Sequence, residues 1–235
     1  MRIISEEFII MAHRGASGYE LENSYAAFKK AVDLGAPMIE TDVRETVDGT
    51  LILMHDSRIN KTSMGRGKVS KLSIKEIKNI RLKNEENIPV LNDVLAQFKD
   101  KIRFNLEIKS KGIETKLYKL IKFNNLIEIV MISSFSFETL QSFYRIDRNL
   151  QLALITNLPS TIFRLKYQFD KLRASGVKAI NPLYLTMSKS FVKKAQKHDL
   201  KVYPWTVNKK ETALKLRDKY QVDGLITNFP DILRA

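Results

Sequence analysis

The 235-residue sequence predicts an α/β protein, a (β/α)8 TIM barrel with a short insertion after its second barrel strand. Three observations lead there. Apolar, often β-branched runs of strand length alternate with amphipathic segments of helix length along the chain, the pattern of βα units on a parallel sheet. Nine such runs occur, and the Asp48-Gly49 turn reduces the barrel staves to eight by folding Leu51–Met54 back on Met38–Val43 as an antiparallel arm. The ionisable residues of several runs gather at their C-terminal edges, where a barrel of this kind displays its chemistry.

Taken in order, the strands are expected at Phe8–Ala12, Met38–Val43, Leu51–Met54, Ile102–Ile108, Glu128–Ser133, Gln151–Ile155, Val177–Asn181, Lys201–Thr206 and Val222–Thr227. Helices are expected at Ser24–Leu34, Leu91–Phe98, Ile113–Phe123, Phe137–Ile146, Ser160–Ala174, Ser188–His198 and Lys209–Lys219. Asn23 or Ser24 can cap the first helix and Asn208 the last, and Gly35 stops the first after Leu34. The stretch Ser57–Pro89 is rich in charge, carries Gly65 and Gly67, and has one short helical pattern at Ile74–Ile80, so it reads as an insertion or cap. With no long linker and no repeat, residues 1–235 read as one domain.

Composition narrows the field. No Cys occurs, which excludes a disulfide framework, a thiolate metal site and a Cys nucleophile, and fits a reducing compartment. The N-terminal MRIISEEFIIMAHRG does not read as a signal peptide, and no run reaches membrane-spanning length, so a cytoplasmic protein is expected. The net charge of +14 is carried by lysines spread over helix faces, the pattern of a solvated surface. Basic residues interleaved with aromatics are absent, so no nucleic-acid partner is expected, while the charge permits peripheral contact with an anionic membrane.

The chemistry sits in five short pieces. His13-Arg14-Gly15 ends the first run and Glu22-Asn23 follows; Glu40-Thr41-Asp42, His55-Asp56 and Glu107-Ile108-Lys109 end three further runs. Glu40 and Asp42, two residues apart in an apolar strand, point to one side, and burying both is costly unless a cation compensates. With Glu107 they make three hard oxygen ligands, a set suited to Mg²⁺, Ca²⁺ or Mn²⁺. His13 and His55 can divide proton transfer between a base and an acid. His198, late in its helix, reads as structural. Arg14 and Lys109 supply donors for an anion. A two-residue turn at Asp48-Gly49 would pair Asp42 with His55, bringing them to one face. Trp205 is a candidate wall for an alcohol group, and Asn181 and Asn228 are candidates for further polar contacts at strand ends. Together these are the parts of a metal-assisted phosphodiesterase.

The strings HRGASGYELENSYAAF, IETDVRETVDGTLILMHD, LEIK, YPWTVN and DGLITNFPD closely resemble the glycerophosphodiester phosphodiesterases, in order and from His13 to Asp231. The resemblance implies a (β/α)8 barrel, an acid/base pair at His13 and His55, metal ligands at Glu40, Asp42 and Glu107, and phosphate contacts from Arg14 and Lys109. It implies hydrolysis of a small-molecule glycerophosphodiester to sn-glycerol 3-phosphate and an alcohol. One departure is Leu21, where the family usually has Pro before the Glu-Asn pair. The alternatives are lysophospholipase D-type cleavage of an acyl-bearing substrate, or a non-catalytic phosphate- or membrane-binding protein.

Overall fold

The computed structural model describes residues 8–157 and 168–234. Its strands are β1 (Ile9–His13), β2 (Met38–Glu45), β3 (Leu51–Leu53), β4 (Arg103–Ile108), β5 (Val130–Ser134), β6 (Gln151–Thr156), β7 (Val177–Pro182), β8 (Lys201–Val202) and β9 (Gly224–Thr227). The helices between them are α1 (Tyr25–Asp33), α2 (Ile74–Lys78), α3 (Leu91–Phe98), α4 (Glu114–Phe123), α5 (Phe137–Ile146), α6 (Phe169–Ala174), α7 (Lys189–Lys197) and α8 (Lys210–Leu214). Most of the expected helix Ser160–Ala174 lies outside the described residues; only its end, α6, is seen.

Eight strands follow one another in parallel in the order β8-β7-β6-β5-β4-β2-β1-β9, and β3 lies off this path, paired with β2 and bridged to Val90 at Ile52. Between β8 and β9 no regular ladder forms. The seam is crossed by Asp223 N–H donating to the Val202 carbonyl at 3.1 Å and Ile226 N–H to the Pro204 carbonyl at 2.9 Å. The expected strand Lys201–Thr206 is regular only over Lys201–Val202, because Pro204 has no amide hydrogen to offer. Tyr203 and Trp205 still donate to the carbonyls of Ile180 and Pro182 on β7.

The helices other than α2 lay their apolar stripes on the outside of the barrel. Ala27, Phe28 and Ala31 of α1 and Leu91, Val94, Leu95 and Phe98 of α3 are buried there with the outward residues of the strands. Ser24 caps α1 by accepting from the Ala27 amide at 3.1 Å. The last helix differs from expectation. It begins at Lys210, runs into a π-helical turn over Lys215–Tyr220, and is not capped by Asn208. The Asn208 carboxamide instead accepts from the Asn228 amide at 2.9 Å, tying the β8–α8 loop to the end of β9.

Inside, period-2 alternation stacks the residues in layers. Met11, Met38, Met131, Ala153, Ala179 and Tyr203 plug the lower barrel. At Gly224 the barrel wall is too tight for any side chain. Gly224 pairs with Ile9, and a Cβ there would lie 2.0 Å from the Ile9 carbonyl oxygen. Gly224→Ala is expected to destabilise the fold by about 1–3 kcal/mol, the usual cost of overpacking, or more. An unchanged urea midpoint would refute this.

The hairpin departs from the expected register by one residue. Val43 pairs with Leu53, Arg44 with Ile52 and Glu45 with Leu51. Thr46 N–H donates to the Thr50 carbonyl, and Gly49, at φ 83°, closes a three-residue loop. Asp42 therefore faces Met54, whose amide donates to the Asp42 carbonyl at 2.9 Å, and His55 lies beyond the ladder. The longer loop forms because Thr46 Oγ1 accepts from the Thr50 amide and donates to Asp48, whose other carboxylate oxygen caps the Ile74 amide of α2. The insertion expected over 57–89 folds as α2 with two short 3₁₀ turns. It has a small apolar cluster of its own, in which Met54, Ile59, Val69, Ile77, Leu82 and Ile88 cover the arm's inner face.

Candidate active site

The second inward layer is polar. His13 ends β1, Glu40 and Asp42 lie on β2, Asn105 and Glu107 on β4, and Ser133 on β5. Parallel register places Glu40 beside Asn105, Asp42 beside Glu107, and Glu107 beside Ser133. One oxygen each from Glu40, Asp42 and Glu107 lies within 4.8 Å of the other two, and all three residues are buried. A cleft opens above them, enclosing about 420 Å³ with its mouth included. His13, Arg14, His55, Lys109 and Trp205 line it together with Glu40 and Glu107. The structure thus brings together the residues expected at the site, although the hairpin register that was to place His55 is not the one observed. His55 enters by the turn after the ladder, where the Arg44 guanidinium grips its carbonyl from Nε at 3.0 Å.

Burial sets the charge states. Glu40 is pushed well above the ordinary carboxylate range by desolvation and by Asp42 and Glu107 beside it. Glu107 is raised to about 7 by burial and by Asp42, against the pull of Lys109. Burial also pushes Asp42 up, but Lys109 and Arg14 outweigh it and hold that carboxyl low. Lys109 Nζ sits 3.2 Å from Asp42 and in close contact with Glu107. Arg14 reaches Asp42 at 3.4 Å through Nε and Glu22 at 3.0 Å, while its amide donates to Glu40 at 3.0 Å. Ionising all three buried carboxyls against two cations would leave a deficit of positive charge. Convergent hard oxygens in that state fit a divalent ion.

A pH dependence follows. Below about pH 7 the free Glu107 carries a proton that a metal must displace. Glu40, raised as well, holds a proton too, so metal affinity is expected to rise with pH from acid through neutral, with protons released on binding. Calorimetry in buffers of different ionisation enthalpy checks this, and an affinity flat from acid to neutral pH would overturn it.

The remaining candidates act as supports. Asn23, held at φ 53°, donates to Asp42 at 2.8 Å and accepts from Thr41 Oγ1 at 2.6 Å. Glu22 braces Arg14 and does not line the cleft. Asn228 Oδ1 lies 2.7 Å from His13 Nδ1, so that nitrogen carries the proton and leaves Nε2, 4.0 Å from Glu40, with a free lone pair. His55 Nδ1 likewise faces Asp56 at 2.7 Å. Burial lowers both imidazoles, that of His13 to about 4. Trp205 lines the cleft edge-on to Phe135, with centroids 5.9 Å apart. His198 caps α7, faces Asp170 at 2.6 Å and lies at the opposite end of the strands.

Sequence reasoning missed Asn105, Ser133 and Phe135, which also line the cleft. The signal for Asn105 was present, since it stands two residues before Glu107 on one strand. Ser133 needed the β4–β5 register, which a sequence does not display.

A parallel barrel with buried acids, imidazoles and cations at one end of its strands defines a class of enzyme that works on anionic esters in a cleft. The chain matches the glycerophosphoryl diester phosphodiesterase family over residues 13–232 and belongs to it. A glycerophosphodiester phosphodiesterase of Caldanaerobacter subterraneus is 34% identical over 238 residues, covering 96% of either chain. The crystal structure of a glycerophosphodiester phosphodiesterase from Agrobacterium tumefaciens superposes with a TM-score of 0.83 at 21% identity, covering 96% of this chain and 98% of that one. An Oleispira antarctica phosphodiesterase in complex with the product sn-glycerol-3-phosphate superposes at 0.85 with 22% identity, covering 94% and 93%. Among the described residues no helix is long and apolar enough to cross a membrane.

Proposed function

We propose that this chain, acting as a single barrel domain capped by residues 57–89, hydrolyses glycerophosphodiesters to sn-glycerol 3-phosphate and an alcohol. The observation that carries the reading is the meeting of both imidazoles in one cleft with Glu40 and Glu107, two of the three converging carboxyls. Glu40, Asp42 and Glu107 would hold a divalent ion, Mg²⁺, Ca²⁺ or Mn²⁺, which when bound polarises a phosphoryl oxygen. Arg14 and Lys109, anchored by the same carboxylates, would face the remaining phosphoryl charge and its increase in the transition state. Trp205 would flank the alcohol.

The two histidines divide the proton work. His13 is buried, has a neutral amide partner and stays unprotonated, so its Nε2 suits the base that takes the proton of the attacking hydroxyl. His55 is also lowered by burial, but it is only half-buried, and the charge of Asp42 and the Asp56 carboxylate at 2.7 Å oppose that lowering, so of the two it is the better suited to the acid that protonates the departing alcohol. The test is turnover of a panel of glycerophosphodiesters by metal-depleted and metal-restored protein, with sn-glycerol 3-phosphate measured as product. Absence of that product across the panel with each of the three metals would reject the reading.

A further inference from the structure

The loop from β1 to α1 carries two supports of the site, Glu22 and Asn23, and its backbone is strained. Arg14 and Asn23 both stand in the left-handed region, at φ 55° and 53°. Side chains other than Gly adopt that region rarely and hold it only where their surroundings fix it. The Asn23 amide donates to the Arg14 carbonyl at 2.9 Å, which closes the loop on itself. Where the family usually has Pro just before the Glu-Asn pair, this chain has Leu21, so the stiffness must come from elsewhere.

The insertion over 57–89 supplies it at three points. Leu21 packs against the insertion's own apolar cluster, of which Ile59 and Leu82 are buried members. Lys61 Nζ lies 3.5 Å from Glu22, but the lysine is exposed and such a pair contributes little. The third point is the firmest. The Glu86 carboxylate accepts from the Tyr25 amide at 2.7 Å and from the Ala26 amide at 3.0 Å. These are the first two amides of α1, which have no partner within the helix, and hydrogen bonds to a carboxylate are among the stronger ones. Ser24 takes only the next amide, that of Ala27. Glu86 is itself held in place, because the Leu82 amide donates to its carbonyl at 2.8 Å and the Leu82 side chain is buried in the cluster. Asn23 stands one residue before the Ser24 cap, so a fray of this helix start would free the carboxamide that donates to Asp42.

We propose that the insertion is a brace for the site, in which Leu21 and Glu86 are positioning residues that hold the Arg14–Asn23 loop so that Asn23 keeps Asp42 aimed at the other two carboxyls. This rests on the reading of Glu40, Asp42 and Glu107 as a divalent-ion site. The experiment titrates metal-free protein with Mn²⁺ in a calorimeter. Glu86→Ala should weaken binding about tenfold, the lower end of the effect of losing an outer partner of a metal ligand. Glu86→Gln, which keeps an acceptor oxygen for the amides, should recover most of that loss. The decisive arm is the double variant. If Glu86 acts through Asn23, adding Glu86→Ala to Asn23→Ala should cost no more than about twofold further. A tenfold loss in both backgrounds, or an unchanged affinity in Glu86→Ala, would overturn the brace.

Hydrogen exchange of the metal-free protein separates this from failure of the metal reading. In Glu86→Ala the amide of Asn23, and not only those of Tyr25 and Ala26, should exchange about tenfold or more faster, while the amides of β4 and β5 keep their wild-type rates. Faster exchange confined to Tyr25 and Ala26 would overturn the brace whether or not Mn²⁺ binds. A wild type that binds no Mn²⁺ while Asn23 responds in this way would reject the ion site and leave the brace standing. If Glu86→Ala does not fold, Leu21→Ala, which trims a half-buried side chain, carries the same comparisons with the same expected direction.

Discussion

His13→Ala and His55→Ala are each expected to lower kcat by about 10²–10⁴-fold while the protein stays folded, since that is what a positioned proton-transfer group contributes. Neither side chain belongs to the main hydrophobic core, and both rings spend one nitrogen on a neighbour, Asn228 or Asp56, and leave the other at the cleft. His198→Ala is expected to leave the rate within a few-fold, because it faces Asp170 at the far end of the barrel. The two active-site variants should also differ from each other. A nitrophenyl leaving group needs little protonation, so it should restore His55→Ala far more than His13→Ala. If the two variants respond alike to leaving-group quality, the division into base and acid is wrong. A His198→Ala defect as deep as the others would show that the wrong pair was chosen.

Chelation is expected to abolish turnover, with activity returning on addition of Mg²⁺, Ca²⁺ or Mn²⁺. Glu40→Gln and Asp42→Asn keep the shape of the layer and remove one of three converging charges each. Removing an outer partner of a metal ligand typically weakens metal binding about 10–100-fold, so loss of a ligand itself should exceed about 100-fold. Asn23→Ala gives the graded control. It removes the 2.8 Å hydrogen bond that aims Asp42 and should fall inside the 10–100-fold range. Calorimetric titration of the three variants orders them, and full activity after exhaustive chelation would remove the metal from the account.

Much of this was legible from residues alone, and the reason is locality. Strand and helix alternation is written in side-chain period, so the barrel class and most element bounds could be read directly; α5 was expected and found at Phe137–Ile146. Glu40 and Asp42 share a face because they are two apart on one strand. His13, Glu107 and Lys109 were marked by standing at the ends of apolar runs. The resemblance of five ordered blocks to a known family pointed the same way.

Other features were decided only by tertiary structure. The hairpin register turned on Thr46 and Asp48 bonding to Thr50 and to Ile74 of the insertion, and a one-residue change in loop length moves every cross-strand partner. Asn208 left its expected cap for Asn228, and so indirectly for His13, because β8 and β9 come together across the barrel seam. Ser133 carries no signal in the sequence; closure of the barrel brings it into one cleft with Asn105 and Asn181. The charge states of Glu40 and Glu107 likewise depend on how far apart three strands hold their carboxylates and how completely water is excluded. Period and motif are properties of neighbours in the chain, whereas register, desolvation and hydrogen-bond completion are properties of neighbours in space, and only the folded barrel assigns those.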